Sequence, residues 1–377
     1  MLNKPRLLTP GPTPLPERVR LVMAADIIHH RKPAFKAVMA EVQTGLRELF
    51  GTEQPVLPLA SSGTGAMVAA VSNLFSPGEK VLVVEGGKFG ERWSDISRSC
   101  GLLPTAMKVA FGHGVSPAAI AAALDADKDI RGVLVQHSET STGVQHPVEA
   151  IAAVTRSRPV LLVVDGISAV SITPCPMDAW GIDCLLTGSQ KGLMLPPGLA
   201  LIALSERAWT KSADVTPANY YFNLRKEAEN NRSGQTSFTP AVSLLIGLAE
   251  SLRMFQEVGL PAIYRKQWAL TMMARKGVEA IGLPLFAKEH FAWGVTSLIL
   301  PEGVQAPDLL AHAAKQYGVI MAGGFDDLKN RLLRIGHMGW LDYGDLAVGL
   351  HARVGSFTAC GGHIGCRNYL EQALAAY

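Results

Sequence analysis

The chain has 377 residues, a formal net charge of +3, 48% hydrophobic and 18% charged residues. That composition buries a large core and excludes a disordered protein, and the length favours two domains over one. The weak net charge, with no Lys/Arg-rich run, argues against a nucleic-acid partner.

Five cysteines (Cys100, Cys175, Cys184, Cys360 and Cys366) form no C-x-x-C pair. Zinc and thioredoxin spacings are therefore missing, and no metal site is expected. Cys100, Cys175 and Cys184 read as buried small hydrophobes in a reducing compartment. No apolar signal core follows the opening Met-Leu-Asn-Lys-Pro, and no apolar run reaches membrane-spanning length. The expectation is a cytoplasmic protein without a membrane partner.

In chain order, Leu7 to Pro14 carries three prolines that fix φ and remove donors, which predicts an extended arm. His29-His30-Arg31 follows it; a structural or interface role fits better than a metal site, with Arg31 a candidate to reach the active site. Phe35, Val38, Met39, Val42, Leu46, Leu49 and Phe50 recur at helical spacing over 33–50. Short apolar runs bounded by turn residues then predict buried parallel strands at 56–59, 80–84, 132–136, 160–164, 184–187 and 200–204. Helical patterns at 65–74, 118–124 and 148–155 separate several of them. Such alternation implies α/β architecture, a mostly parallel sheet covered on both faces, with ligands beyond the carboxyl ends of its strands. A polar, irregular stretch at 219–235 precedes a long helical pattern at 241–258. The remainder mixes helices and strands, with a strand at 296–300. The predicted division is an arm over 1–20, a large domain over 21–257 and a smaller α+β domain over 258–377.

Three segments carry chemistry. Ser61-Ser62-Gly63-Thr64-Gly65 lies between a strand and a helix, where backbone N–H groups and the helix dipole suit a phosphate. Taken alone, this loop is better explained as an ordinary N-cap and tight turn. Asp165 ends a buried strand and could pair with a protonated ring nitrogen, or cap the next loop. Lys191, behind Thr187-Gly188-Ser189-Gln190, could meet a cofactor aldehyde if its amine pKa is depressed. In that order along a strand–loop–helix region, the three form a pyridoxal 5′-phosphate (PLP) arrangement.

The sequence resembles the class V, fold type I aminotransferases, nearest to the alanine–glyoxylate and serine–pyruvate (serine–glyoxylate) branch. His137-Ser138-Glu139-Thr140-Ser141-Thr142-Gly143, Val164-Asp165-Gly166-Ile167-Ser168, Trp180-Gly181-Ile182-Asp183 and Gly188-Ser189-Gln190-Lys191 carry the resemblance, which runs from the arm to Arg334-Ile335-Gly336. It implies a Schiff base between Lys191 and PLP, with Lys191 also moving the substrate proton. Asp165 then partners the pyridine nitrogen. Ser62, Gly63, Thr64 and Gln190 fall on the phosphate side, and Thr140 near the ring hydroxyl. Phe89 takes the stacking position where many relatives have Trp. Arg334 resembles the substrate-carboxylate clamp, which a guanidinium fork suits. The resemblance further implies a homodimer whose second subunit completes the phosphate site. Thr236 and Thr239 are both candidates there, because the Tyr found in relatives is lacking from Gly234 to Pro240.

The implied reaction is ping-pong transfer of the amino group of alanine or serine to glyoxylate or pyruvate. Alternatives are 2-aminoethylphosphonate–pyruvate transamination, a cysteine desulfurase-like lyase, and a non-catalytic accessory protein. The desulfurase is disfavoured because no Cys lies between Cys184 and Arg334.

Overall fold

The structure, a computed structural model, describes residues 4–217 and 219–377. Its main sheet has seven strands: β1 (Val56–Ala60), β2 (Lys80–Glu85), β3 (Leu103–Lys108), β4 (Ile130–Gln136), β5 (Leu161–Asp165), β6 (Cys184–Gly188) and β7 (Leu199–Leu204). Their spatial order is β1-β7-β6-β5-β4-β2-β3. The neighbouring pairs from β6 to β3 are parallel, while β7 is antiparallel to both β6 and β1. The sheet is therefore mixed, and the run at 200–204 is not the parallel strand its composition suggested. A strand buried on both faces is uniformly apolar in either direction, so composition carries no sign of direction.

Alternate residues along the strands feed two separate cores. Leu82, Val84, Val133, Val135, Leu162, Val164 and Leu185 pack with the helices Pro33–Phe50, Pro117–Ala126, Val148–Thr155 and Val242–Val258. Val81, Val83, Leu134, Leu161, Val163, Cys184 and Leu186 pack on the opposite face with Gly63–Leu74 and Lys88–Ser99. The two-residue period of a pleated strand produces this division.

Two elements escaped the periodicity reading. β3 is an edge strand whose six residues are exposed or half-buried, so no apolar run marks it. The stretch read as irregular at 219–235 contains the helix Leu224–Arg232, capped by the Asn223 side chain on the Lys226 N–H. It buries only Leu224, Glu227, Ala228 and Asn231, too few for an apolar stripe. Cys100 is half-buried rather than core, whereas Cys175 and Cys184 are buried as expected.

Beyond Gly259 the chain enters the helix Leu260–Ile281 and an α+β part. Its antiparallel sheet comprises β8 (Val295–Ile299), β9 (Ala322–Gly323) and β10 (Leu332–Gly336), in the order β8-β10-β9. A separate core there joins Leu270, Met273, Leu298, Leu333, Leu350 and Phe357 with one residue of the arm, Leu8. The arm is extended as the prolines predict; Arg6–Leu7 pairs in parallel with Val319–Ile320.

Arg353, on the helix Tyr343–Ala359, is fully buried, and its three guanidinium nitrogens have no hydrogen-bond partner. Burial pushes its pKa down to about 9. A base depressed in the folded state is destabilising below its folded pKa, and the cost fades as pH rises above it. Arg353→Met keeps the length and removes the charge. It is expected to stabilise the fold by about 1–4 kcal/mol at pH 7, read by thermal denaturation.

Candidate active site

The carboxyl ends of β1, β5 and β6 open onto a cavity of about 290 Å³. Each strand delivers one chemical group to it. β1 runs through Ser61 into the helix Gly63–Leu74, whose first turn leaves N–H groups without intrahelical acceptors. Ser62 stands at the N-cap with an extended backbone and makes no capping bond with its side chain. A Cβ on Gly63 would fall 2.4 Å from Ile167 Cδ1, so glycine is what lets the helix end come this close to the turn after β5.

β5 ends on Asp165, which is 5% exposed. Its Oδ1 accepts the Ile167 N–H at 2.8 Å. Burial pushes the carboxyl up to about 7; nearby Glu139 adds to the rise, and Lys191 and Arg92 oppose it. Past β6, the turn at Ser189–Lys191 places Lys191 in the same cavity. Burial brings its ammonium pKa down to about 8, helped by the positive charge of Arg334 and opposed by Asp165. The amine donates to the Pro10 carbonyl of the arm.

Phe89 reaches the cavity from the start of the helix Lys88–Ser99. Glu139 fixes that helix end: its buried carboxylate accepts N–H groups of Phe89 (3.2 Å) and Gly90 (3.0 Å) and the Ser141 hydroxyl. Burial raises the Glu139 pKa, and these donors hold it down. Thr140 lines the cavity and donates to Ser168 Oγ at 2.7 Å. The Gln190 Oε1 and Ser138 Oγ atoms are buried without a protein partner beside the same space.

Ser62, Gly63, Thr64, Phe89, Thr140, Asp165, Gln190 and Lys191 thus come together, as the sequence reading expected. Arg334 stands just outside, in β10, with Nε on the Gly323 carbonyl (2.8 Å) and Nη1 on the Thr140 carbonyl (3.0 Å). Thr236 and Thr239 are elsewhere on this chain, in a separate shallow pocket with Tyr221 and Phe238. Arg31 does not line the cavity; it donates to Gln235 Oε1 and the Thr236 carbonyl. Four contributors went unnoticed in the sequence. Arg92 lies one helical turn after Phe89, covers its ring at 4.9 Å and donates to Thr64 Oγ1; that i,i+3 spacing was the available signal. Ser168 sits in a quoted motif without a role. Gly11 and Pro12 arrive through the tertiary path of the arm, which no local pattern encodes.

The donor set suits a flat, anionic aldehyde: a depressed amine, a buried carboxylate, an aromatic face, a helix N-terminus and two orphaned polar atoms. This site on this mixed sheet defines a fold type I enzyme, the fold of a large group of PLP proteins. Residues 21–326 match the family described as "Aminotransferase class-V", and the chain belongs to that family. It is 35% identical over 349 residues to the serine–glyoxylate aminotransferase of Methylorubrum extorquens, covering 89% of this chain and 87% of that one. It is 37% identical over 355 residues to a Synechococcus protein named "Soluble hydrogenase, small subunit", covering 93% and 92%. The crystal structure of pyridoxamine–pyruvate aminotransferase from Mesorhizobium loti superposes with a TM-score of 0.94 at 27% identity, covering 99% of this chain and 97% of that one. No helix among the described residues is long and apolar enough to cross a membrane.

Proposed function

We propose that the protein is a PLP-dependent transaminase that moves the amino group of a small amino acid, alanine or serine, to a 2-oxo acid such as glyoxylate or pyruvate. The observation that carries this reading is the pairing of a half-buried, pKa-depressed Lys191 with a buried Asp165 across one cavity at a helix N-terminus. The family implies the cofactor, and the orphaned Gln190 and Ser138 oxygens fit its polar rim.

Bound PLP supplies an electron-withdrawing ring that acidifies the Cα–H of the amino acid joined to it. The residues of this chain do the rest. Lys191 would hold the cofactor and, once displaced, carry the Cα proton away and back. Asp165 would keep the ring nitrogen protonated; a cation opposite its carboxylate favours ionisation and offsets the burial that raises it. Ser62, Gly63, Thr64 and Gln190 would take the phosphate side, Phe89 one face of the ring, and Arg334 the substrate carboxylate. Among the described residues, Arg334 Nη2 makes no hydrogen bond, which leaves a donor for that carboxylate.

A homodimer is part of the proposal. Tyr220 is 79% exposed beside the stacked Tyr221–Phe238 pair, next to Thr236 and Thr239. Such a surface aromatic group suits a subunit contact that would carry the two threonines to the other copy's phosphate.

The test is the visible spectrum of the purified protein as L-alanine, L-serine and 2-aminoethylphosphonate are added in turn. Loss of the bound-aldehyde band with one of the first two, and its return with glyoxylate or pyruvate, is expected. A response to 2-aminoethylphosphonate alone would move the assignment to that transaminase. The name of the Synechococcus relative favours a second reading, a subunit of a redox complex; a protein that stays colourless with PLP and copurifies with a large partner would favour it. A desulfurase needs a thiol at the substrate, and no cysteine lines the cavity among the described residues.

Only the free amine of Lys191 attacks an aldehyde. Since its pKa falls to about 8, the fraction of free amine rises with pH through that value. The rate of PLP uptake by cofactor-free protein is expected to increase from pH 7 to 9 with a midpoint near 8, followed by stopped-flow absorbance.

A further inference from the structure

Phe325 sits beside the cavity, in contact with both Arg334 and Phe89. Its ring covers the Arg334 guanidinium, with Cζ 4.7 Å from the ring centroid. It also meets Phe89 edge to face, with centroids 6.3 Å apart and planes at 84°. The ring therefore spans from the aromatic wall of the cavity to the guanidinium beside it, and it is 38% exposed.

The loop that holds it is tied down on every side. The preceding Gly323 carbonyl accepts Arg334 Nε at 2.8 Å. A Cβ on Gly324 would fall 2.4 Å from the Leu328 carbonyl oxygen, so the turn closes tightly there. Leu328 N–H donates back to the Phe325 carbonyl at 2.9 Å. On the far side, Asp326 pairs with Lys88, the residue before Phe89, at 3.0 Å. The pair is solvent-exposed and contributes little stability, but it fixes the loop against the helix that carries Phe89.

We infer that Phe325 sets the length and polarity of the amino donor's side chain, an inference that rests on the transaminase reading. A donor with its carboxylate at Arg334 and its Cα facing Lys191 sends its side chain along the Phe325 ring. A methyl or hydroxymethyl group clears the ring. A three-carbon chain would run against it, and a carboxylate side chain would lose its water against an apolar face. The favoured donors are short and neutral.

The experiment compares wild type, Phe325→Ala and Phe325→Leu in two ways. The first is kcat/KM for L-alanine, L-2-aminobutyrate, L-norvaline and L-aspartate. The second is calorimetric affinity for pyruvate and 2-oxopentanoate with no amino donor present, which needs no turnover. Wild type is expected to prefer alanine over norvaline by roughly 10–200-fold, the range one or two misfitting methylenes produce. Phe325→Ala should shrink that ratio and the corresponding 2-oxo acid ratio at least about tenfold, while Phe325→Leu keeps most of both. A uniform loss of affinity from an uncovered Arg334 cancels in the ratios. Ratios unchanged in Phe325→Ala, with transamination intact, would overturn the role of Phe325 and leave the transaminase standing. Turnover with no donor in wild type would sink the transaminase reading; the binding ratios would then still decide whether the ring discriminates by length.

Discussion

Lys191→Ala is expected to lose at least about 10⁴-fold in kcat/KM for transamination, the upper end of what a positioned acid–base group supplies. The residue is asked to do two things, and no neighbour can take over either. Among the described residues, its amine is the one aldehyde-reactive group lining the cavity, and as a base it would carry the donor's Cα proton. Asp165 is tied to the Ile167 N–H. The fold should tolerate the change, because deleting a buried amine of depressed pKa removes a desolvation cost along with one hydrogen bond to Pro10. The check is a pair of measurements: donor-dependent absorbance change, and thermal midpoint by circular dichroism. A variant that unfolds at the wild-type temperature but turns over at the wild-type rate would refute the assignment of Lys191.

Asp165→Asn is expected to lower kcat by about 10²–10³-fold, the size of effect seen when a preorganised electrostatic partner is removed. The amide is isosteric and can still accept the Ile167 N–H, so the backbone turn survives. What disappears is the negative charge that would hold a proton on the ring nitrogen. The loss should therefore appear in kcat more than in KM, since the proposal assigns donor binding to Arg334. Steady-state kinetics with alanine and glyoxylate provide the check. An unchanged kcat would mean that the ring nitrogen is served by another group, and Asp165 would be reduced to a loop cap.

The sequence announced much of this site because its parts lie at strand ends. A buried strand is read from four to six apolar residues, and the residue after it falls on the ligand side of the sheet. Asp165 and Lys191 were legible in that way, as was the helix entry at Ser62–Thr64. Phe89 and Arg334 came only through resemblance, since an aromatic after two glycines and an arginine inside a strand have many uses. The failures have physical causes. β7 hid its direction because full burial makes parallel and antiparallel strands alike. β3 hid altogether because an edge strand exposed on both faces needs no apolar residues. Arg92 and Phe325 act through contacts closed by packing, between helix and loop, and such contacts leave no local pattern.

The arm has a consequence for the order in which the molecule is assembled. Arg6 and Leu7 pair with Val319 and Ile320, Leu8 is buried among residues 270 to 373, and Thr13 bonds the backbone of Gln190 and Lys191. A growing chain exposes these residues long before their partners exist, and roughly 300 residues must be added before the Arg6 strand can dock. Contacts so distant along the chain carry a large loop-closure cost and form late. The large sheet can therefore fold during synthesis while the arm stays loose, and the contact between Pro10 and the Lys191 amine is among the last to close. The residues that seal the reactive lysine in place are made 181 positions ahead of it.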